Sequence, residues 1–464
     1  MTPGSPRIVR PARDAPAVLR EDFARIRAEF ELPERFPDEV MDEAERAAAA
    51  AWPRDGRLDA RERAFVTIDP PGSMDLDQAM LLERDGDGYL VHYAIADVGA
   101  IVPSGGAVER EAWARGQTVY LPDARVSLYP PAISEGVASL LPGQERPALV
   151  YRIGLDAAGR QHSARVDRAV VRSHRRLAYG EGEIPLLQEI GELRMALARE
   201  RGAVSLEAPS QEVVRDDSAP YGYRLELEQR RPDEDWNAEI SLLAGMAAAG
   251  IMAERGFGLL RTMGGADAYR VDRLRAAARA LGVSWPGNET FEHFAMRLDP
   301  AVPREAALIE EARDAMGHAG YRYFEGPLPP DAVHAGIASH YAHTTAPLRR
   351  LADRYVLELV AGGGDREALQ KLPDVMAEAG GRSARVEAAV VDDMEARLLE
   401  GRVGETFAAV AMENDRRGTV IRIADPPVRA RMHADPPPTP GDAVEAQLVR
   451  ADPISRSLEF RTPV

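Results

Sequence analysis

Apolar positions near the start of the chain follow helical spacing. One amphipathic helix is predicted by the apolar side chains of Leu19, Phe23, Ile26 and Phe30. A second helical pattern runs into an alanine-rich stretch, which proline, aspartate and glycine end near residue 56. So short a stretch leaves little room for a separate β-barrel. We therefore expect residues 1–60 to form a helical N-terminal segment, and the pattern also fits a helix-turn-helix.

The pattern then changes to that of β-strands and later returns to that of helices. Apolar runs flank short Asp- and Gly-containing turns at residues 85–88 and 156–159, and each arrangement predicts a hairpin. Strands followed by helices indicate an α+β domain over residues 61–400. The predicted helices cover residues 187–201, 235–255, 270–281, 303–317, 347–360 and 374–400.

The C-terminal residues 401–464 return to short strands. Five apolar tracts are separated by proline, glycine and aspartate, which fits a small OB-fold barrel. Aromatic side chains are few here, since Phe407 and Phe460 are the only ones. Phe460 lies within a predicted strand, where it fits a place in the barrel core as well as one on a binding surface.

Length and composition exclude several classes of protein. A chain of 464 residues is long enough for two or three domains. It has no cysteine, which excludes disulfides, thiolate zinc sites, iron–sulfur clusters and cysteine nucleophiles. No run approaches the ~18 apolar residues of a membrane span, and the N-terminus lacks the apolar core of a secretory signal. We expect a soluble, monomeric, cytoplasmic protein that does not bind membranes.

The net charge of −17 argues against a protein that coats nucleic acid over its whole surface. Proteins that bind nucleic acid without sequence preference are usually basic. Any contact with nucleic acid should therefore be local, within a groove or channel.

The strongest chemical signal is a loop with three carboxylates and one amide. Asp69 precedes a Pro-Pro-Gly turn, and Asp75, Asp77 and Gln78 follow it. In an extended segment Asp75 and Asp77 point the same way, and clustered carboxylates repel unless a cation neutralises them. Mg²⁺ prefers oxygen ligands and can activate water at a phosphodiester, so the loop predicts a Mg²⁺ site. A solvated acidic turn is the alternative interpretation.

A second signal is the segment 339–353, which combines His, Thr, Pro and Arg. Thr344 or Thr345 is expected to cap a helix that contains Pro347, which would place Arg349 and Arg350 in its first turn. Two guanidinium groups at that end suit an incoming phosphate. The alternative is an ion pair with Asp353 or with the carboxylate loop. The histidines of the segment are assigned no ligand role.

These residues together resemble the RNB family of exoribonucleases, which includes ribonuclease II and ribonuclease R. The resemblance covers roughly residues 37–400 and keeps one order along the chain. The C-terminal barrel resembles an S1-type OB domain. The stretches that carry the resemblance are 66–78, 118–123, 236–246 and 343–350.

The resemblance implies a Mg²⁺-dependent enzyme that hydrolyses single-stranded RNA processively from the 3′ end to nucleoside 5′-monophosphates, without an organic cofactor. Asp69, Asp75, Asp77 and Gln78 match the metal-binding positions, and Asp75 and Asp77 also match catalytic ones. Arg349 matches the arginine on the scissile phosphate, and Arg350 its basic neighbour. The remaining matches are Tyr120 at the RNA 3′ end, Leu206 at a base-stacking position, and Tyr179 and Glu239 in the active site.

The sequence departs from the family pattern at several of these positions. Gln78 replaces a fourth aspartate and brings no charge, Leu206 replaces an aromatic residue, and Gly245 replaces an asparagine. The residues before Asp69 leave no room for the two cold-shock barrels of relatives. Two alternatives remain open: an RNA-binding protein weakened in catalysis by Gln78, and a metal-dependent phosphodiesterase acting on single-stranded DNA.

Overall fold

The computed structural model describes residues 17–204, 211–216, 218, 222–227, 231–299, 302–423, 425–426 and 428–463. The first part contains α1 (Ala17–Glu29), α2 (Asp38–Ala49), β1 (Leu58–Ile68), β2 (Gln78–Asp85), β3 (Gly88–Ala96), α3 (Ala107–Arg115), β4 (Val119–Tyr120), β5 (Arg125–Val126), β6 (Glu145–Leu155) and β7 (Gln161–Leu177). The middle contains α4 (Leu187–Arg201), β8 (Gln211–Arg215), β9 (Tyr223–Leu227), α5 (Pro232–Arg255), β10 (Phe257–Met263), α6 (Ala268–Ala280), α7 (Phe291–Met296), α8 (Pro303–Ala315), β11 (Ala319–Glu325), α9 (Leu351–Val360) and α10 (Arg366–Leu399). The last part contains β12 (Thr406–Asp415), β13 (Gly418–Ile423), β14 (Val428–His433), β15 (Ala443–Asp452) and β16 (Ser457–Arg461).

The two predicted N-terminal helices form, and each packs on a different neighbour. Phe23 and Ile26 of α1 are fully buried in a cluster that includes residues of α10. Val40 and Ala44, one turn apart on α2, are buried on its contact with α3. Because the two helices have separate partners, the helix-turn-helix interpretation stays a prediction.

Buried charges add to the contact between α1 and α10. Asp22 accepts hydrogen bonds from Nε and Nη2 of Arg397 at 2.7 and 3.0 Å. Nη2 of Arg25 lies 3.0 Å from Asp22 Oδ1 and 3.3 Å from Asp393 Oδ1. The other oxygen of Asp393 is buried with no hydrogen-bond partner among the described residues. Two carboxylates therefore share this contact, and only Asp22 is fully paired.

A closed barrel of β1, β2, β3, β6 and β7 forms the centre of the first domain. The predicted hairpins close it: Asp85 pairs with Gly88, so the turn between β2 and β3 is only two residues long. β1 and β7 pair in parallel and complete the ring. β1 begins at Leu58, three positions before the predicted boundary at residue 61. The loop between β1 and β2 carries the aspartates, so the barrel fixes both ends of that loop.

The predicted helices of the middle region form, with clearly different starts for two of them near prolines, whereas the sequence pattern does not predict α7 or the strands β8 to β11. The predicted helix over 347–360 begins only at Leu351, because residues 347–349 form a separate turn and Arg350 is extended, with φ −135° and ψ 124°. The predicted helix over 374–400 begins earlier, at Arg366, and continues through Pro373. Asp365 caps it by accepting a hydrogen bond from the Ala368 N–H at 3.1 Å.

The C-terminal strands form the predicted OB-type barrel. Its strand order is β12, β13, β14, β16 and β15, and the ring closes between β12 and β15. β14 and β16 are parallel, and the other neighbours are antiparallel. Phe407 and Phe460 are buried and meet edge to face at 6.0 Å. The two aromatic side chains of this domain therefore belong to its core, and the predicted α+β architecture with a C-terminal barrel is confirmed.

Helix α5 is long and apolar because it runs through the core of the first domain. Among the described residues it is the one helix with the length and mean hydropathy of a membrane span, and 56% of that apolar window is buried inside the protein. Ile240, Leu243 and Ala247 pack into the same apolar core as the barrel strands. Burial of this kind is what a core helix shows.

Candidate active site

The loop between β1 and β2 is held in place by one buried hydroxyl. Ser139 Oγ accepts a hydrogen bond from the Leu76 N–H at 2.9 Å and donates one to the Met74 carbonyl at 2.6 Å. At the start of the loop, the Asp69 N–H donates to the Leu177 carbonyl at 3.1 Å. The side chain of Asp75 therefore extends from a segment whose backbone is fixed on both sides.

Asp77 is the point at which the carboxylate loop and the arginine segment meet. Its Oδ1 accepts a hydrogen bond from the Leu348 N–H at 2.7 Å, although 271 positions separate the two residues. Its Oδ2 lies 3.5 Å from Nε of Arg349. Burial raises the pKa of Asp77 well above its usual range, against the opposing effect of Arg349. The two strongest sequence motifs thus form one site.

Asp69 lies at the end of β1 with one oxygen buried and without a partner. No described residue donates a hydrogen bond to its Oδ2. Burial raises the pKa of Asp69 to about 7, and the negative charge of Asp75 raises it further, whereas Arg349 lowers it. A carboxylate so placed lacks the positive charge that would stabilise its ionised form.

Asp75 has a different partner, which neither motif identifies. Nη1 of Arg125 donates to Asp75 Oδ1 at 2.9 Å, and Nη2 of the same guanidinium contacts Glu135. Arg125 follows the stretch 118–123 by two positions, so its nearness to that stretch is the only sequence signal for it. Asp75 is therefore partly neutralised by the protein itself.

The two arginines of the second motif have separate environments. The side chain of Arg349 is about one-third exposed and faces Asp77, so it can be reached from solvent. Arg350 makes two hydrogen bonds to Asp353, at 3.0 and 2.8 Å, and Asp353 also accepts the Ala346 N–H at 2.7 Å. Neither arginine lies within α9 as expected: both belong to the turn before it, where their N–H groups donate to the Ala346 carbonyl at 3.2 and 2.9 Å. For Arg350 the structure agrees with the alternative interpretation, which is an ion pair with Asp353.

The histidine of this segment is used inside the protein. His343 is buried, its Nδ1 is 2.6 Å from the Tyr321 hydroxyl, and its Nε2 is 3.4 Å from Nη1 of Arg350. Burial and the neighbouring arginines hold the pKa of His343 well below its usual range. Both ring nitrogens of His343 therefore have partners inside the protein.

Two tyrosines lie near the aspartates. Burial raises the pKa of Tyr120 to about 12, while Arg349 lowers it and the charges of Asp75 and Asp77 raise it, so its hydroxyl lies within their electrostatic reach. The Tyr179 hydroxyl accepts a hydrogen bond from Nδ2 of Asn237 at 2.8 Å. Burial raises the pKa of Tyr179, and Asp69 raises it further.

Asn237 and Glu239 lie two positions apart near the start of α5. The motifs do not single out Asn237, whose side chain is buried and positions Tyr179. Glu239 is also buried, burial raises its pKa, and the charges that act on it most strongly are Arg194 and Arg201 of α4. Its Oε2 has no hydrogen-bond partner among the described residues. Glu239 thus faces two arginines.

The positions at which the sequence departs from the family pattern are only partly described. Leu206 lies outside the described residues. Gln78 is the first residue of β2, opposite Ile95 of β3, and is half-buried. A side chain at Gly245 would collide with the ring of Tyr341, since a Cβ there would lie 2.0 Å from it. Glycine at 245 therefore has a packing reason.

The oxygen ligands of the loop fit a hard cation. Among the described residues no three His, Asp or Glu side chains converge into a ready metal cage. However, Asp69 has an unpaired buried oxygen, and burial raises the pKa of both Asp69 and Asp77. A divalent cation would supply the positive charge that these carboxylates lack.

Comparison with known proteins identifies two family domains in this chain. Residues 57–362 match the RNB domain, and residues 405–462 match the RNase II-type exonuclease C-terminal S1 domain. Ribonuclease R of Aquifex aeolicus is 28% identical over 423 residues, which cover 82% of this chain and 58% of that protein. Ribonuclease R of Thermotoga maritima is 25% identical over 97% of this chain and 70% of that protein.

Solved structures share the fold. RNase R of Mycoplasma genitalium, in complex with ribose-methylated single-stranded RNA, has a TM-score of 0.85 at 20% identity and covers 95% of this chain and 78% of that one. Yeast Ssd1, described as a pseudonuclease, has a TM-score of 0.66 at 19% identity and covers 87% of this chain and 53% of that one. Since the RNB match spans more than half of its residues and begins ahead of the aspartate loop, this chain belongs to the RNB family.

Proposed function

We propose that this protein is a Mg²⁺-dependent exoribonuclease that hydrolyses single-stranded RNA processively from the 3′ end to nucleoside 5′-monophosphates. The observation that carries the proposal is Asp77, which joins the carboxylate loop to Leu348 and to the reachable guanidinium of Arg349. RNB exoribonucleases are metal-dependent nucleases, and one RNase R relative has been solved with single-stranded RNA.

Each part of the site has a separate task in this proposal. Asp69, Asp75, Asp77 and Gln78 would hold Mg²⁺, which supplies Lewis acidity and an activated water when bound. Arg349 binds the reacting phosphate and stabilises the charge that develops on it, because its side chain is partly exposed beside Asp77.

The two tyrosines would position the last nucleotide. Tyr120 lies near Arg349, where its ring can pack on the terminal nucleotide. Tyr179 is oriented by Asn237 and lies toward Asp69, on the other side of the same loop. Glu239, which faces arginines of α4, would act on the RNA only through a change in those contacts.

The test uses RNA and DNA oligonucleotides of one sequence, each labelled at the 5′ end or at the 3′ end. They are incubated with the protein in Mg²⁺ or EDTA, and products are resolved at single-nucleotide length. We expect Mg²⁺-dependent shortening of 5′-labelled RNA and immediate release of a mononucleotide from 3′-labelled RNA. If degradation is processive, the enzyme stays on a labelled strand that it has begun to degrade, so excess unlabelled RNA added after the start should not prevent complete degradation of that strand.

Asp77→Asn is the matched control. It keeps the side-chain shape and an oxygen for the Leu348 N–H but removes the ligand charge, so cleavage should nearly vanish while RNA binding persists. Near wild-type cleavage by Asp77→Asn would exclude this assignment. RNA binding without any Mg²⁺-dependent cleavage by the wild type would favour the alternative of an RNA-binding protein weakened in catalysis. Gln78 and the similarity to Ssd1 are the observations on which that alternative rests.

A further inference from the structure

The short hairpin formed by β4, β5 and their turn, residues 119–126, has two faces with different neighbours. We call it the Tyr120 hairpin. Tyr120 and Arg125 are paired directly across it, so their side chains lie on one face. Successive residues of a strand point to opposite sides, which places Val119 and Leu121 on the other face.

The first face contacts the candidate active site. Arg125 donates to Asp75 at 2.9 Å, and the Tyr120 hydroxyl lies within the electrostatic reach of Arg349. The position of the hairpin therefore sets where one aspartate, Asp75, and one RNA-binding side chain, Tyr120, are held.

The opposite face packs on α1. Val119, Leu121 and Val126 share a buried apolar cluster with Phe23 and Ile26 of that helix and with residues of α10, among them Val390. Neither the carboxylate loop nor the arginine segment includes α1, so α1 is linked to the site through its contacts with the hairpin.

An ion pair fixes the turn of the hairpin to the same helix. Nη1 of Arg27 donates to both carboxylate oxygens of Asp123 at 2.9 Å, and the two side chains are only 13% and 10% exposed. Nε of Arg27 also contacts the exposed Glu34 at 3.2 Å. The attraction within an ion pair that is shielded from water in this way is stronger than that within an exposed pair.

The ends of the hairpin are held by further hydrogen bonds, made by Thr118, which lies outside the turn. The Thr118 N–H donates to the Arg349 carbonyl at 3.0 Å, and the Thr118 hydroxyl accepts the Leu128 N–H at 3.0 Å. Within the turn, the Leu121 N–H donates to the Ala124 carbonyl at 2.9 Å. The turn is tied to another element by the Arg27–Asp123 pair, beside the packing of Leu121 in the apolar cluster.

We propose that α1 is a positioning element for the reaction, in which Arg27 and Asp123 hold the Tyr120 hairpin against the aspartate loop. This inference rests on the proposed function and names a residue outside the aspartates and Arg349 on which turnover depends. Arg27 acts through the hairpin and does not itself touch RNA. Its loss should therefore lower turnover with little effect on the binding of long RNA.

The experiment compares Arg27→Ala, Asp123→Asn and the double variant with the wild type. For the single variants we expect kcat to fall on the order of tenfold to 100-fold, as for other displacements of about 1 Å in an active site, with the Kd for long RNA almost unchanged. The double variant should be no worse than either single one, because all three remove the same contact. A kcat equal to that of the wild type in both single variants would overturn the inference.

Glu29→Ala is the control on the same helix. Glu29 pairs at 2.6 Å with Arg456 of the C-terminal barrel and has no contact with the hairpin, so its loss should leave kcat near the wild-type value. An equal loss of kcat in Glu29→Ala would assign the effect to the docking of α1 in general and would overturn the role of Arg27.

A second readout does not depend on activity. Hydrogen exchange of the peptide covering residues 117–128 should be faster in Arg27→Ala and Asp123→Asn than in the wild type and Glu29→Ala. Unchanged exchange would overturn the inference even if Arg27→Ala is too unstable for kinetics, because Asp123→Asn keeps the shape of its side chain. Failure of the proposed function is distinguishable, since the wild type itself would then leave RNA intact.

Discussion

Replacing the buried Asp393 by asparagine should stabilise the folded protein, and the gain should grow with pH. The Asp393 side chain is fully buried, and burial together with the charge of Asp22 raises its pKa to about 7, against the opposing effect of Arg25. The unfolded chain releases this proton near the ordinary value of 3.8. Between about pH 4 and about pH 7 the unfolded state therefore binds fewer protons than the folded state, so wild-type stability falls as pH rises.

The size of the effect follows from the same values. The difference between about 7 and 3.8 is about 3 pKa units. At ~1.36 kcal/mol per unit this is at most about 4 kcal/mol of lost stability above pH 7. Asparagine has no proton to release at this position and still offers an oxygen to Nη2 of Arg25. The stability of the variant should therefore not fall between about pH 4 and about pH 7 as that of the wild type does.

Urea unfolding followed by circular dichroism, at about pH 5 and about pH 8, measures the stability gain of the variant and its dependence on pH. Asp22→Asn is the matched comparison, because Asp22 accepts two hydrogen bonds from Arg397 and pairs with Arg25, so its loss of charge should destabilise the protein. The reasoning is refuted if Asp393→Asn is no more stable than the wild type at about pH 8, or if its advantage is the same at both pH values.

Three further variants test the site. Arg349→Ala should lower turnover far more than the affinity for long RNA, since it loses a contact with the reacting phosphate; equal losses measured by kinetics and filter binding would make it an ordinary binding residue. Gln78→Asp should raise Mg²⁺ affinity measured by calorimetry, and unchanged affinity would place Gln78 outside the metal ligands. Gly245→Ala should lower the free energy of unfolding by about 1–3 kcal/mol, because the new Cβ would collide with Tyr341. Gly250 lies on the same helix, and no atom is within 4 Å of the position that its Cβ would take, so Gly250→Ala should be neutral or mildly stabilising.

Patterns carried by neighbouring residues were enough to predict most of the fold. The hairpin between β2 and β3 follows from alternating apolar runs around an Asp-Gly turn, and it forms with Asp85 opposite Gly88. Closure of the first barrel could not be predicted in this way, because it depends on β1 pairing in parallel with β7, about a hundred residues later. The five C-terminal strands were predictable because they are short, regular and consecutive.

The site shows the same division. Asp69, Asp75 and Asp77 were identifiable because they are crowded into one loop, and Arg349 because of its motif. The predicted start of α9 is too early, since the chain makes a turn at residues 347–349 and is then extended at Arg350 before the helix begins. Arg125 and Asn237 were missed because their partners are distant in sequence, and no local pattern indicates such contacts.

The buried Ser139 hydroxyl has a consequence for metal selectivity. Since it ties the backbone at Met74 and Leu76, it restricts the loop, and binding of a cation carries little cost of ordering the backbone. A stiff loop also limits how far its carboxylates can spread around a larger ion. Ca²⁺, which favours longer bonds and more ligands than Mg²⁺, should therefore be a poor substitute, and a Ser139→Ala variant should discriminate less between the two ions.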